Sequence, residues 1–225
     1  MGRILVALIA VLSCGLAPAA DAAQTWSQGT NYALVTPAQR TNVPAGKVEV
    51  LEVFSYACPA CNSFQPWVEK LEGSLAPNAQ MAYLPASFNP NEDWPVFQRA
   101  YLTAQLLGIA ARTHHAMYDA VWKTGELAVM DPGTNHLRSP LPSLEAVARW
   151  YGRAAMVNPE RFLSTAQSFV VDTQVRAADA QITAMQVPGT PCLVVNGKYR
   201  VIMDSVHSFD EFVDLINFLV AKETH

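Results

Sequence analysis

Charged residues are scarce in this chain: Asp, Glu, Lys and Arg together make up 15% of 225 residues. The 15 basic residues form no cluster, and 19 acidic ones bring the formal charge to −4. A mildly acidic surface without a basic stripe excludes nucleic acid as the main partner. It also leaves no polybasic handle for anionic membranes. The apolar run Ile4–Leu12 is too short to span a bilayer, which takes about 20 residues. Cysteine is rare as well: Cys14, Cys58, Cys61 and Cys192 are all there is. That excludes a disulfide framework. A structural zinc site is not expected either, because it needs four ligands and no second C-x-x-C exists. His114 and His115 are adjacent, so they diverge on a helix.

Apolar residues are abundant, at 51%, enough for a sizeable core. The length suits one ordinary domain, or one carrying a large insertion. The first 22 residues read as an export signal: Arg3, the apolar run, then the small residues from Ala17 to Ala23. Cleavage after Ala22 or Ala19 fits an A-x-A site. The expected product is a soluble exported protein in an oxidising compartment such as the bacterial periplasm. Ser13-Cys14-Gly15 matches a lipoprotein processing site poorly, because bulky Leu12 stands where a small residue is usual, so lipid anchoring is not expected. Beyond the leader, Cys58 and Cys61 form one close pair and Cys192 is left over.

The segment 24–44 is polar and turn-rich, an extended arm with room for one short edge strand. Lys47–Tyr56 is β-branched and aromatic, and reads as a buried strand. Pro59 suits the first turn of a helix running to about Leu75, with Phe64, Trp67, Val68 and Leu71 buried and Pro66 kinking it. Met81–Leu84 is a second strand. From Asp93 to about Met185 the apolar spacing becomes helical, with Ser143 and Asn158 as caps and a break near Asp172. Strands return on either side of Asn196-Gly197, a strong hairpin signal, and Ser208–Lys222 forms an amphipathic closing helix. The expectation is an α/β fold whose core is split by a helical insertion.

Cys58-Pro59-Ala60-Cys61 falls where a strand hands over to a helix. Free N–H groups and the dipole at a helix start favour an anion at Cys58, which lowers its pKa. Cys61 sits one turn deeper, within reach for a disulfide. A structural metal half-site and an inert disulfide are the bland alternatives to a redox pair. A second signal is Val187-Pro188-Gly189-Thr190-Pro191, just before the hairpin, where a proline opening a strand can be cis. Alone it reads more simply as a turn.

Together these segments resemble the thioredoxin superfamily, and specifically the DsbA family of periplasmic dithiol oxidases. The likeness is carried by Val50–Cys61, by Ser168-Phe169-Val170-Val171, and by Thr190-Pro191 leading into Val194–Tyr199. It implies a thioredoxin-like α/β core with an inserted helical domain, divided as 23–92, 93–185 and 186–225. It implies Cys58 as a surface-exposed nucleophile, Cys61 as its buried disulfide partner, and Pro191 as a cis-proline facing them. Pro59, Ala60 and the Thr190 backbone would contact an extended substrate segment, by strand addition at Thr190. Glu52 matches a buried acid of the family. A carboxylate in an apolar strand has a raised pKa and can relay protons to a buried thiol; a solvent-facing Glu52 is the alternative.

The resemblance further implies a monomer without a dissociable cofactor. Its partners would be unfolded exported proteins with free cysteines and a quinone-linked membrane oxidase. Rival readings are a reductase or isomerase on the same scaffold, and a thiol-based metal or peptide chaperone. Two features depart from the family. Ala60 stands where a histidine is frequent, and Cys192 follows the expected cis-proline directly, as a packed strand residue or a third redox thiol.

Overall fold

A computed structural model describes residues 25–131, 133–134 and 136–223. The expected leader and Cys14 lie outside the described residues.

The chain enters through a short strand, β1 (Tyr32–Leu34), then runs through β2 (Val48–Phe54), α1 (Pro59–Glu72) and β3 (Ala79–Pro85). It then leaves the sheet for five helices: α2 (Trp94–Leu106), α3 (Ala110–Trp122), α4 (Leu144–Ala155), α5 (Pro159–Ala166) and α6 (Phe169–Ala184). It returns through β4 (Cys192–Val195), β5 (Tyr199–Val201) and the closing helix α7 (Phe209–Ala221). The sheet order is β1-β5-β4-β2-β3, with β2 and β3 parallel and the other pairings antiparallel. This is the expected split α/β core with helices inserted between its halves.

β2 lies inside the sheet between β4 and β3, and every one of its seven residues is buried. Its Val48 and Val50 pack with Val68 and Leu71 of α1 and Phe212, Ile216 and Leu219 of α7. Leu51 and Val53 face the other way, against Ile182 of α6 and Met185 beyond it. Phe64 and Trp67 are half-buried rather than buried, since they cover α7 from the side and stack near Phe212 and Phe209. α1 continues through Pro66 and ends at Glu72, with Gly73 as its C-cap, three residues short of the expected end. The Asn196-Gly197 turn forms as its sequence requires, with φ of 50° and 64°.

Ser143 and Asn158 cap α4 and α5, accepting from the N–H groups of Ala146 and Arg161. The break expected near Asp172 falls earlier, at Gln167-Ser168. The reason is that the Ser168 hydroxyl accepts from the Val171 N–H and starts a new helix. Asp172 sits inside that helix and pairs with Arg99 of α2 at 2.7 Å.

Candidate active site

The β2–α1 connection carries the two cysteines to the seam between the sheet and the inserted helices. Cys58 is the N-cap of α1, in extended conformation, and Pro59 occupies the first turn. Its sulfur accepts from the Cys61 backbone N–H at 3.3 Å. The Cys58 thiol donates to the Thr190 carbonyl at 3.5 Å, across 132 residues of sequence. The Thr190–Pro191 peptide is cis. Cys58, Cys61 and Cys192 are free thiols.

The two sulfurs of the pair differ sharply. The Cys58 pKa falls to about 6, chiefly through the hydrogen bond from the Cys61 thiol, with the Thr190 side chain and the N–H groups of Cys61 and Ala60 adding to it against the cost of burial. Cys61 moves strongly the other way, because burial and then the neighbouring Cys58 sulfur penalise its charge. One position corrects the sequence reading. Cys58 is not surface-exposed: it is only 4% accessible, against 0% for Cys61, because the Thr190 strand end closes over it. Pro59 and Ala60 are the exposed residues of the motif.

Glu52, on β2, is fully buried, so the solvent-facing alternative is overturned. Neither carboxylate oxygen has a hydrogen-bond partner among the described residues. Desolvation pushes its pKa up to about 8, with the charges of Cys58 and Glu72 adding to the rise. At neutral pH this side chain holds its proton. Cys192 is also buried, among Val35, Val53 and Val187, and burial raises its pKa to about 11 despite the nearby Arg200. That thiol stays neutral, as a packed strand residue does.

Sequence reasoning missed the wall behind Cys61. Tyr56, Tyr101, His114 and Tyr118 gather around Phe54, with the Tyr56 hydroxyl 2.9 Å from His114 Nδ1 and the Trp122 indole N–H donating to the Tyr56 carbonyl at 2.8 Å. Burial drops the His114 pKa to about 3, so the wall is polar but uncharged. The spacing of His114 and Tyr118, one turn apart on α3, was the available signal. Only the fold brings them to Tyr56. Among the described residues no group of His, Cys, Asp and Glu could hold a metal ion.

The sequence model of the thioredoxin family matches residues 43–217. The thiol:disulfide interchange protein DsbA of Pseudomonas aeruginosa is 32% identical over 221 residues, covering 98% of this chain and 95% of its own. The chain belongs to the DsbA family. A crystal structure of a Pseudomonas aeruginosa DsbA variant superposes with a TM-score of 0.74 at 30% identity, over 89% of this chain and 99% of that one. The Xylella fastidiosa oxidoreductase DsbA gives 0.73 at 31% identity, over 88% and 97%. The fold is therefore the thioredoxin-like core with a helical insertion, and the activity is that of a thiol:disulfide oxidoreductase. In this DsbA-family chain the cysteine pair keeps its place at the helix start although Ala60 supplies no cation beside it.

Proposed function

We propose that the chain is a periplasmic dithiol oxidase that introduces disulfides into exported proteins, acting as a monomer after loss of residues 1–22. The unequal acidity of the two thiols carries this reading: Cys58 is drawn down to about 6 while Cys61 is pushed far up. A pair so arranged is stabilised when reduced, which is what makes an oxidant. We read 23–92 and 186–225 as the two halves of the core and 93–185 as the insertion.

In the oxidised protein a substrate thiolate attacks the Cys58 sulfur. The Cys58–Cys61 bond breaks, a mixed disulfide forms at Cys58, and the Cys61 sulfur leaves with the electron pair. A charged Cys61 is heavily penalised, so it takes up a proton. Glu52, protonated at neutral pH and electrostatically coupled to Cys61, supplies it. A second substrate thiolate then attacks the substrate sulfur of the mixed disulfide, and Cys58 departs as a thiolate. Two substrate thiols become one disulfide, and two electrons rest on the cysteine pair until a quinone-linked membrane oxidase removes them. Cis-Pro191 and the Thr190 backbone border Cys58 and align the substrate strand. The exposed Pro59 and Ala60 form the other lip.

Titration of the Cys58–Cys61 pair against glutathione tests the direction. The expected potential is well above the roughly −270 mV of thioredoxin. A value at or below that figure would make the protein a reductase.

A further inference from the structure

A cavity of about 280 Å³ opens beside the cis-proline, with Pro188, Thr190 and Pro191 on one wall and Arg200, Met203 and Asp204 on the other. Arg200 is the only basic side chain lining it among the described residues. Two observations make this guanidinium notable. It is half-buried on β5, opposite Val194 of β4, yet it forms no ion pair or hydrogen bond among the described residues. Among the described residues Arg99 is the other half-buried arginine, and it is engaged: it pairs with Asp172 and donates to the Ala166 carbonyl. Asp204, across the same cavity, is exposed and makes no ion pair with Arg200.

We propose that Arg200 is a specificity-determining residue, whose guanidinium receives a carboxylate of the substrate beside its reactive cysteine. Thr190 touches both this cavity and the Cys58 sulfur. A chain held along Thr190 therefore places residues flanking the attacked cysteine over Arg200, since neighbouring side chains of an extended strand are spaced at about 3.3 Å per residue. The planar fork of arginine matches a carboxylate with two parallel hydrogen bonds. The other groups lining the cavity are apolar or neutral apart from Asp204, so the preferred partner is an acidic side chain and the disfavoured one a lysine. The inference rests on the proposed role of Thr190 in holding substrate.

The test is a set of dithiol peptides that differ in one residue beside the reactive cysteine, on either side: Asp, Ser or Lys. Wild type is expected to oxidise the Asp peptide about fivefold faster than the Lys peptide in kcat/KM, mainly through KM. Arg200→Lys should keep the order with a smaller ratio. Arg200→Gln should bring the ratio close to one, and Arg200→Glu should reverse it. Equal rates on the Asp and Lys peptides with wild type, or an unchanged ratio in Arg200→Gln, overturn the role of Arg200 and leave the Cys58 chemistry standing. Oxidation that survives Cys58→Ala, with any peptide, overturns the site reading itself.

Discussion

Glu52 is fully buried and meets no hydrogen-bond donor among the described residues, so its ionisation works against the fold. Its folded pKa is raised from 4.5 to about 8. Stability from this group is therefore full below pH 4.5 and is lost as pH rises through about 8. The loss is on the order of 5 kcal/mol at one pKa unit per 1.36 kcal/mol. Glu49, raised by burial, and Asp93, raised to about 6 by the same cause, add slopes of the same sign. Glu52→Gln should flatten the fall in stability between pH 5 and 8 without abolishing it. Urea unfolding of the oxidised protein at a series of pH values measures this, and a slope equal to wild type would show that the carboxyl is hydrated. The burial behind this prediction was half legible: an acid in an apolar strand was visible, but which face it took was not. Parity along β2 does not decide it, because both faces are covered.

At the scale of elements, the turn between β4 and β5 is fixed by local chemistry and then used by a distant segment. Gly197 has φ of 64°, and a Cβ there would overlap the Gln39 backbone, whose N–H donates to the Gly197 carbonyl at 2.9 Å. Gly46 has φ of 85° with open space around its Cβ position. Both glycines pay the left-handed penalty when replaced, but only the first also meets a clash with backbone. Gly197→Ala should therefore cost about 2 kcal/mol more than Gly46→Ala, read from unfolding midpoints. Equal costs would mean that the arm carrying Gln39 gives way freely. Asn196-Gly197 announced the hairpin, but nothing local announced Gln39. The helix boundary at Ser168 shows the same division. Serine was a recognised cap residue, yet periodicity ran on smoothly across it, and only the hydrogen bond to Val171 N–H marks the break.

For the whole molecule, folding and redox state are linked through Cys58. Its folded pKa of about 6 lies below the ordinary value of 9.0, so the reduced form gains stability above that ordinary value and loses it as pH falls through about 6. The oxidised form has no thiolate to stabilise, and the Glu52 slope largely cancels between the two. The stability of the reduced protein minus that of the oxidised one should thus rise by on the order of 2–3 kcal/mol from pH 5 to pH 8. Paired urea curves at both pH values give this difference, and one that stays flat would remove the thiolate as the source of oxidising power. By itself the sequence determined the split α/β architecture, the cysteine pair at a helix start and the hairpin. Each of these follows from periodicity, caps and turn residues within a few positions of one another. Only the tertiary structure decided that Thr190 closes over Cys58, that Glu52 stays dry, that Tyr56 reaches His114 and that Arg200 has no ion-pair or hydrogen-bond partner among the described residues. Those are contacts between segments far apart in the chain, and burial and charge pairing arise only when packing brings such segments together.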